Sequence, residues 1–371
     1  MIRVSKSSIS QLEIDSVIEV LKKEFLGMGE EVMKFETELQ TFLGNENSLV
    51  SCVSSGSAAL HLALEALDLP EDSEVLVPSL TYVSSFQSIQ ASRLKPIACD
   101  VRLTDGYIDL EDAKKRLTPK TRVLMPVHYA SNCSRLKEVY EFADSYGLRV
   151  VEDAAHALGS TFDNKLIGTF GDIICFSFDG IKNITSGEGG AIVTKDQALT
   201  DKIKDMRLLG VKNDTEQRYK GSRSWEFDVE SVGYRYHMSN IMAAIGRVQL
   251  SRFPSFISRR KKIASTYRES LGEIDEINLF QFDYKNSVPH IFPVKVPDHR
   301  DALRAYLFEN GIETGIHYKP NHKLKKFNDG QPRVVAEKLA EELITLPLHY
   351  DLSDDDLLFI IEKLSYFFKS I

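Results

Sequence analysis

Between about residues 48 and 195, short apolar runs recur along the chain: Leu49–Val53, Val75–Pro78, Pro96–Cys99, Val123–Val127, Leu148–Glu152, Asp172–Phe178 and Ala191–Thr194. Nearly continuous apolar runs of this length predict strands buried on both faces. Helical stretches lie between several of them. Ser57–Leu67 is apolar on most sides and is expected to be buried, whereas Ser134–Tyr146 is amphipathic. Strands and helices alternating in this way predict an α/β fold of three layers, with a mostly parallel central sheet covered by helices.

Outside this region the rhythm differs. Leu12, Ile14, Val17, Ile18 and Leu21 fall at helical spacing. A break at Leu26-Gly27-Met28-Gly29 follows, and a second helix is expected to start near Glu31. Around residues 251–262 the character changes, and Arg259-Arg260-Lys261-Lys262 reads as the solvated face of a helix. Residues 288–371 then combine strand-like Val288–Val296 with helical stretches near 299–310, 333–344 and 354–369. The expected division is a large domain over residues 1–250 and a smaller α+β domain over 251–371.

Composition narrows the partners. Of 371 residues, 43% are hydrophobic and 27% charged, enough apolar material for a sizeable core. A net charge of −8 argues against a broad nucleic-acid footprint and against an anionic membrane surface. The N-terminal stretch has no continuous apolar segment and soon carries Glu13 and Asp15, so no signal peptide is expected there. No run is long enough to span a bilayer, and a cytoplasmic protein is expected. Cys52, Cys99, Cys133 and Cys175 form no CxxC pair. Three of them lie in or beside strand-like runs and are expected to be buried, reduced thiols. With no HxxxH pattern either, no metal site is expected.

Ligands of a parallel sheet bind beyond the carboxyl ends of its strands, and four features of the sequence fall there. Ser54-Ser55-Gly56-Ser57 links a strand to the buried helix, where a glycine and outward-facing helix N–H groups would suit a phosphate. Val150-Val151-Glu152-Asp153-Ala154-Ala155-His156 delivers two carboxylates at a strand end. A buried carboxylate there calls for a cationic partner such as a protonated ring nitrogen, unless Asp153 is simply a helix N-cap. Cys175–Lys182 ends a strand and places a lysine five residues after Ser177, and Gly187-Glu188-Gly189-Gly190 makes a tight turn into the next strand. A desolvated lysine between those two elements could form a Schiff base. A phosphate cradle, a carboxylate for a pyridinium nitrogen and such a lysine together match pyridoxal phosphate. No G-x-G-x-x-G follows the first strand and there is no P-loop, which sets dinucleotide and nucleoside-triphosphate chemistry aside.

The same residues resemble a known family, the DegT/DnrJ/EryC1/StrS sugar aminotransferases, of fold type I among pyridoxal-phosphate enzymes. The matching stretches are Ser55–Leu64, Val77–Tyr82, Val151–Gly159, Ser177-Phe178, Lys182–Gly190, Ala243–Gly246 with Gln249-Leu250, His317–His322 and Leu346–His349. The resemblance implies that Lys182 carries the cofactor and that Asp153 binds its ring nitrogen. It also implies that Gly56, Ser57 and Ser177 bind its phosphate, that Tyr82 stacks on the ring, and that His156 lies beside the ring and its 3′-oxygen. Gly29, within the Gly27–Gly29 segment, His317 and Tyr318 would contact the sugar. The chain departs from the family at Gly233-Tyr234-Arg235-Tyr236-His237-Met238, where Arg235 stands in place of an asparagine that reaches the phosphate of the neighbouring subunit. Arg235 is therefore expected to bind phosphate across a homodimer. A second departure is Val127-His128-Tyr129-Ala130-Ser131, where the family has a Tyr-Gly turn after the Val-His pair.

The implied activity moves an amino group from an amino acid, glutamate above all, to a keto- or aldehyde-sugar, often nucleotide-linked. The product would be an amino sugar for lipopolysaccharide or related glycan biosynthesis. Relatives that remove a hydroxyl carry histidine at the lysine position, and this chain keeps Lys182. The alternatives are a pyridoxal-phosphate sugar dehydratase and a non-catalytic binding protein on the same fold.

Overall fold

The structure is a computed structural model and describes residues 1–229 and 231–370. Helices α1 (Gln11–Lys22) and α2 (Glu30–Leu43) precede the first strand, β1 (Leu49–Val53). Ser10 caps α1, its hydroxyl accepting from the Leu12 N–H while Glu13 reaches back to the Ser10 N–H at 2.8 Å. Next come α3 (Gly56–Glu65), β2 (Glu74–Pro78), α4 (Val83–Ala91), β3 (Lys95–Cys99), α5 (Leu110–Lys115), β4 (Thr121–Leu124), α6 (Leu136–Tyr146) and β5 (Arg149–Asp153). A short hairpin, β6 (Thr161–Phe162) and β7 (Lys165–Leu166), leads to β8 (Ile173–Ser177) and β9 (Gly190–Thr194). Every strand expected between residues 48 and 195 is present, with ends shifted by a residue or a few.

The seven strands order as β1-β9-β8-β5-β4-β2-β3. The ladders from β8 through β3 are parallel, and β9 alone runs against its neighbours β1 and β8. Side chains alternate between two covered faces. On β8, Ile173 and Cys175 join the core beneath α3 and α4, while Ile174 and Phe176 join the core beneath α2. This is the expected three-layer arrangement, and it explains why the runs read as continuously apolar rather than alternating. All four cysteines are buried free thiols, Cys133 as well as the three expected.

Helices α7 (Gln197–Met206) and α8 (Asp214–Tyr219) are followed by α9 (Asn240–Leu271), which runs unbroken through residue 250. The change of character near residue 251 is thus a change of packing partners within one helix. Leu250, Phe253 and Phe256 belong to the core beside the central sheet, and Ile263, Ala264, Tyr267 and Leu271 to a separate C-terminal core. That second core is built on an antiparallel sheet of β10 (Asn278–Leu279), β11 (Phe292–Lys295) and β12 (Leu343–Leu346), with α10 (Arg300–Glu309), α11 (Val334–Glu342) and α12 (Asp354–Lys369). The stretch expected to be helical over 333–344 therefore ends as strand. Ile2 also joins this unit, bridging to Ile312.

The charge cluster on α9 divides in a way its sequence did not suggest. Arg259 and Lys262 pair with Asp354 on the surface, whereas Arg260 is 3% exposed. Arg260 Nη1 instead donates to the carbonyls of Pro289, His290 and Leu348 at 3.2–3.4 Å. One residue per 3.6-residue turn can face inward, and here it is a clasp between α9 and the C-terminal unit.

Candidate active site

The carboxyl ends of β1, β2, β5 and β8 open on a cavity of about 370 Å³. Ser55, Gly56, Ser57, Tyr82, Asp153, His156, Ser177, Lys182, His317 and Tyr318 all line it. Of the residues expected from sequence, only Gly29 and Arg235 lie elsewhere in the chain. Gly29 is the N-cap of α2, buried where a Cβ would meet Phe25 at 2.7 Å. Arg235 is exposed, its backbone bridged to Leu208.

The start of α3 forms the cradle. Ser55 caps the helix by accepting from the Ala58 N–H at 3.1 Å, leaving the first N–H groups to face the cavity. A Cβ on Gly56 would lie 2.8 Å from Ser177 Cβ, so the two strand ends approach as closely as a glycine allows. Gly190 has the same role from behind: a Cβ there would lie 2.5 Å from the Ser55 carbonyl oxygen. The glycine turn at 187–190 is therefore what lets β9 pack against the cradle. Ser57 Oγ reaches Ser84 Oγ at 2.5 Å, adding a hydroxyl from α4.

Asp153 closes β5 and is 6% exposed. Its Oδ2 accepts from Ser85 Oγ at 2.8 Å and its Oδ1 from the Ala155 N–H at 3.2 Å. Its neighbour Glu152 faces away from the cavity, receiving Tyr140 Oη at 2.6 Å and contacting His128 Nε2 at 2.7 Å. The two-residue period of a strand makes this split unavoidable.

Lys182 follows a turn in which its N–H donates to Asp179 O and the Asp179 carboxylate accepts from the Ile181 N–H. Burial lowers the proton affinity of Lys182 to about 8, with Asp153 and Asp179 pulling the other way. His156 shares a 3.1 Å hydrogen bond between Nε2 and the Tyr318 hydroxyl. Burial, then the Lys182, His317 and His128 charges, hold it well below the ordinary histidine range. His317 contacts Thr345 Oγ1 through Nδ1 at 2.9 Å, and burial followed by Lys182 lowers it to about 4. The Tyr82 ring, more than half exposed at the N-cap of α4, stands 5.9 Å from that of Tyr318.

Three features escaped sequence reasoning. Nothing in the sequence marks Ser85, although it lies one helical turn after Tyr82. Asp179 and Glu188 both line the cavity, and burial followed by Asp179 raises the Glu188 carboxyl. The Asn321-His322 pair is structural. Asn321 binds the Ser79 and Thr81 carbonyls and His322 binds Ser79 Oγ at 2.6 Å, fixing the C-terminal unit against the turn that carries Tyr82.

These residues fit pyridoxal phosphate. The close Gly56–Ser177 approach with free helix N–H groups suits a phosphate, and the buried Asp153 faces the same cavity as a lysine whose amine is partly neutral near pH 8. Among the described residues, no group of three or more His, Cys, Asp or Glu is placed to hold a metal ion, and no helix is long and apolar enough to cross a membrane.

Comparison with known proteins agrees with this geometry. The profile of the DegT/DnrJ/EryC1/StrS aminotransferase family matches residues 7–365. The uncharacterized protein MJ1066 of Methanocaldococcus jannaschii is 33% identical over 368 residues, covering 95% of this chain and 94% of that one. PseC of Helicobacter pylori, an aminotransferase involved in the biosynthesis of pseudoaminic acid, superposes with a TM-score of 0.91 at 25% identity over 100% of both chains. Spr1654 of Streptococcus pneumoniae, assigned as a sugar aminotransferase and solved in its PMP form, gives a TM-score of 0.91 at 27% identity, again over 100% of both chains. With the match extending over nearly its whole length, the chain belongs to the DegT/DnrJ/EryC1/StrS aminotransferase family.

Proposed function

We propose that this protein is a pyridoxal-phosphate-dependent aminotransferase that moves an amino group from an amino acid, glutamate above all, to a keto- or aldehyde-sugar. The products are a 2-oxo acid and an amino sugar for glycan or related biosynthesis, and the acceptor is of the class that is often nucleotide-linked. The observation that carries the reading is Lys182, retained as lysine and placed in one cavity with Asp153. When bound, the cofactor supplies an electron sink for charge developing at the donor's α-carbon.

The chain's own residues supply the rest. Lys182 would hold the cofactor covalently, and its freed Nζ would take a proton from the donor's α-carbon and give it back as an acid. A proton affinity near 8 suits an amine that must both accept and return that proton. Asp153, held by Ser85 and the Ala155 N–H, keeps a proton on the ring nitrogen. Gly56, Ser57 and Ser177 bind the phosphate, and Tyr82 covers the ring. His317 and Tyr318 line the sugar side of the cavity. Arg235, outside this chain's own cavity, serves the site of a second copy in a cytoplasmic homodimer, whereas Gly29 is buried against Phe25 at the start of α2.

The test is Lys182→Ala alongside the unaltered enzyme, each saturated with cofactor and supplied with glutamate and a panel of nucleotide-linked keto-sugars. The unaltered enzyme should release 2-oxoglutarate over many turnovers. After borohydride reduction it should carry a pyridoxyl adduct on Lys182, and the variant should do neither. Multiple turnovers by Lys182→Ala would sink the reading.

A further inference from the structure

Behind the face that His156 shows to the cavity lies a second histidine, one that the reaction outlined above does not use. His290 precedes β11 and is 2% exposed. Its ring centroid stands 4.4 Å from that of His156, with 47° between the ring planes. Neither nitrogen of His290 has a hydrogen-bond partner, and His156 Nδ1 has none either.

The two rings are pinned together by their backbones. Ser131 Oγ donates to the His156 carbonyl and accepts from the His290 N–H at 3.1 Å. Asn183, the residue after Lys182, directs its Nδ2 at the carbonyls of His156, Leu158 and Val288 at 3.1–3.4 Å. Arg260 holds the Pro289 and His290 carbonyls from the opposite side. Hydrogen bonds therefore tie the lysine turn, the His156 turn and the 288–290 segment together.

We propose that His290 is a positioning residue for His156: its buried ring, packed against His156, fixes the plane in which His156 presents Nε2 to Tyr318 and to the cavity. The inference rests on the reading that His156 lies beside the cofactor. Lys182, His317 and His128 face His156, Arg260 faces His290, and Tyr318 is the hydrogen-bond partner of His156. Burial opposes a charge on either ring, and the contact between the rings keeps water from His156 Nδ1. Removing the His290 ring admits water there and returns His156 toward ordinary histidine behaviour.

The experiment follows the visible absorption of the cofactor-loaded enzyme against pH, with kcat and KM for glutamate, in the unaltered protein, His290→Ala and His290→Phe. His290→Ala should add a spectral titration step at about pH 5.5–7. It should also lower kcat by roughly tenfold to a hundredfold with little change in KM. His290→Phe, which restores a ring against His156, should show no added step and recover most of kcat. If His290→Ala does not fold, His290→Leu takes its place, with the same kcat loss expected relative to His290→Phe. Equal loss in the alanine or leucine variant and in the phenylalanine variant, or no loss in any, would overturn the proposal. Unaltered protein that takes up no cofactor would overturn the functional reading as well; a normal cofactor band with unresponsive variants would overturn this inference alone.

Discussion

Glu152 and Asp153 are consecutive residues at the end of β5, yet they serve opposite faces of the sheet. Asp153 enters the cavity with Ser85 at 2.8 Å, and Glu152 lies fully buried on the other side against His128 at 2.7 Å. One carboxylate faces the cavity, and its neighbour is tied to His128 and Tyr140 on the far side of the strand.

This separation predicts two different failures. Glu152→Gln breaks a buried pair with His128 and should cost roughly 3–5 kcal/mol of stability. Asp153→Asn should leave urea unfolding close to normal and abolish turnover. Urea melts of both variants with activity measured at a fixed cofactor concentration would show it; a Glu152→Gln protein of unaltered stability would refute the assignment.

Ser85→Ala removes one donor from Asp153 without touching the cavity wall beside it. A single hydrogen bond of this kind contributes about 1 kcal/mol, so pyridoxal phosphate should bind about fivefold more weakly. Equilibrium titration of the apo protein measures this, and identical dissociation constants would argue that Ala155 N–H alone orients the carboxylate.

The lowered proton affinity of Lys182 sets a pH dependence. Its folded value of about 8 lies below the ordinary 10.5, so the amine becomes neutral, and nucleophilic, over a pH range that begins well below that of a solvated lysine. The rate at which apo protein captures pyridoxal phosphate should therefore rise with pH and level off with a midpoint near 8. A midpoint near 10.5, read from stopped-flow absorbance, would mean that Lys182 is not desolvated.

Gly190→Ala should disturb the cradle from behind, because its Cβ would sit 2.5 Å from the Ser55 carbonyl oxygen and backbone must yield. Overpacking of this kind costs about 1–3 kcal/mol. The loss should appear both in thermal stability and in cofactor affinity; a substitution neutral in both would show that the turn has room to spare.

Much of this site was legible before the fold was known. The strand ends at Ser54–Ser57, Asp153 and Ser177–Lys182 stand out because strand-length apolar runs stop there and glycine, carboxylate or lysine follows. Ser85 was not legible, since a serine in a helix carries no signal until the helix is laid beside β5. Arg260 is hidden for a related reason: within a run of four cations, nothing local marks the one that turns inward to the 289–290 carbonyls. Gly29 and Arg235 were named from resemblance, and one chain alone does not bring them to the cavity.

The order of elements, the three-layer sheet and the lysine-centred chemistry were written in local patterns, because burial periodicity and turn residues act over a few neighbours. The partnership of His156 with His290, the clasp by Asn183 and Arg260, and the docking of Asn321 against the Tyr82 turn join residues that lie 25 to 242 positions apart. Such contacts arise only when separate elements pack, since hydrogen bonds and ring contacts act over a few ångströms of space, whatever the distance along the chain.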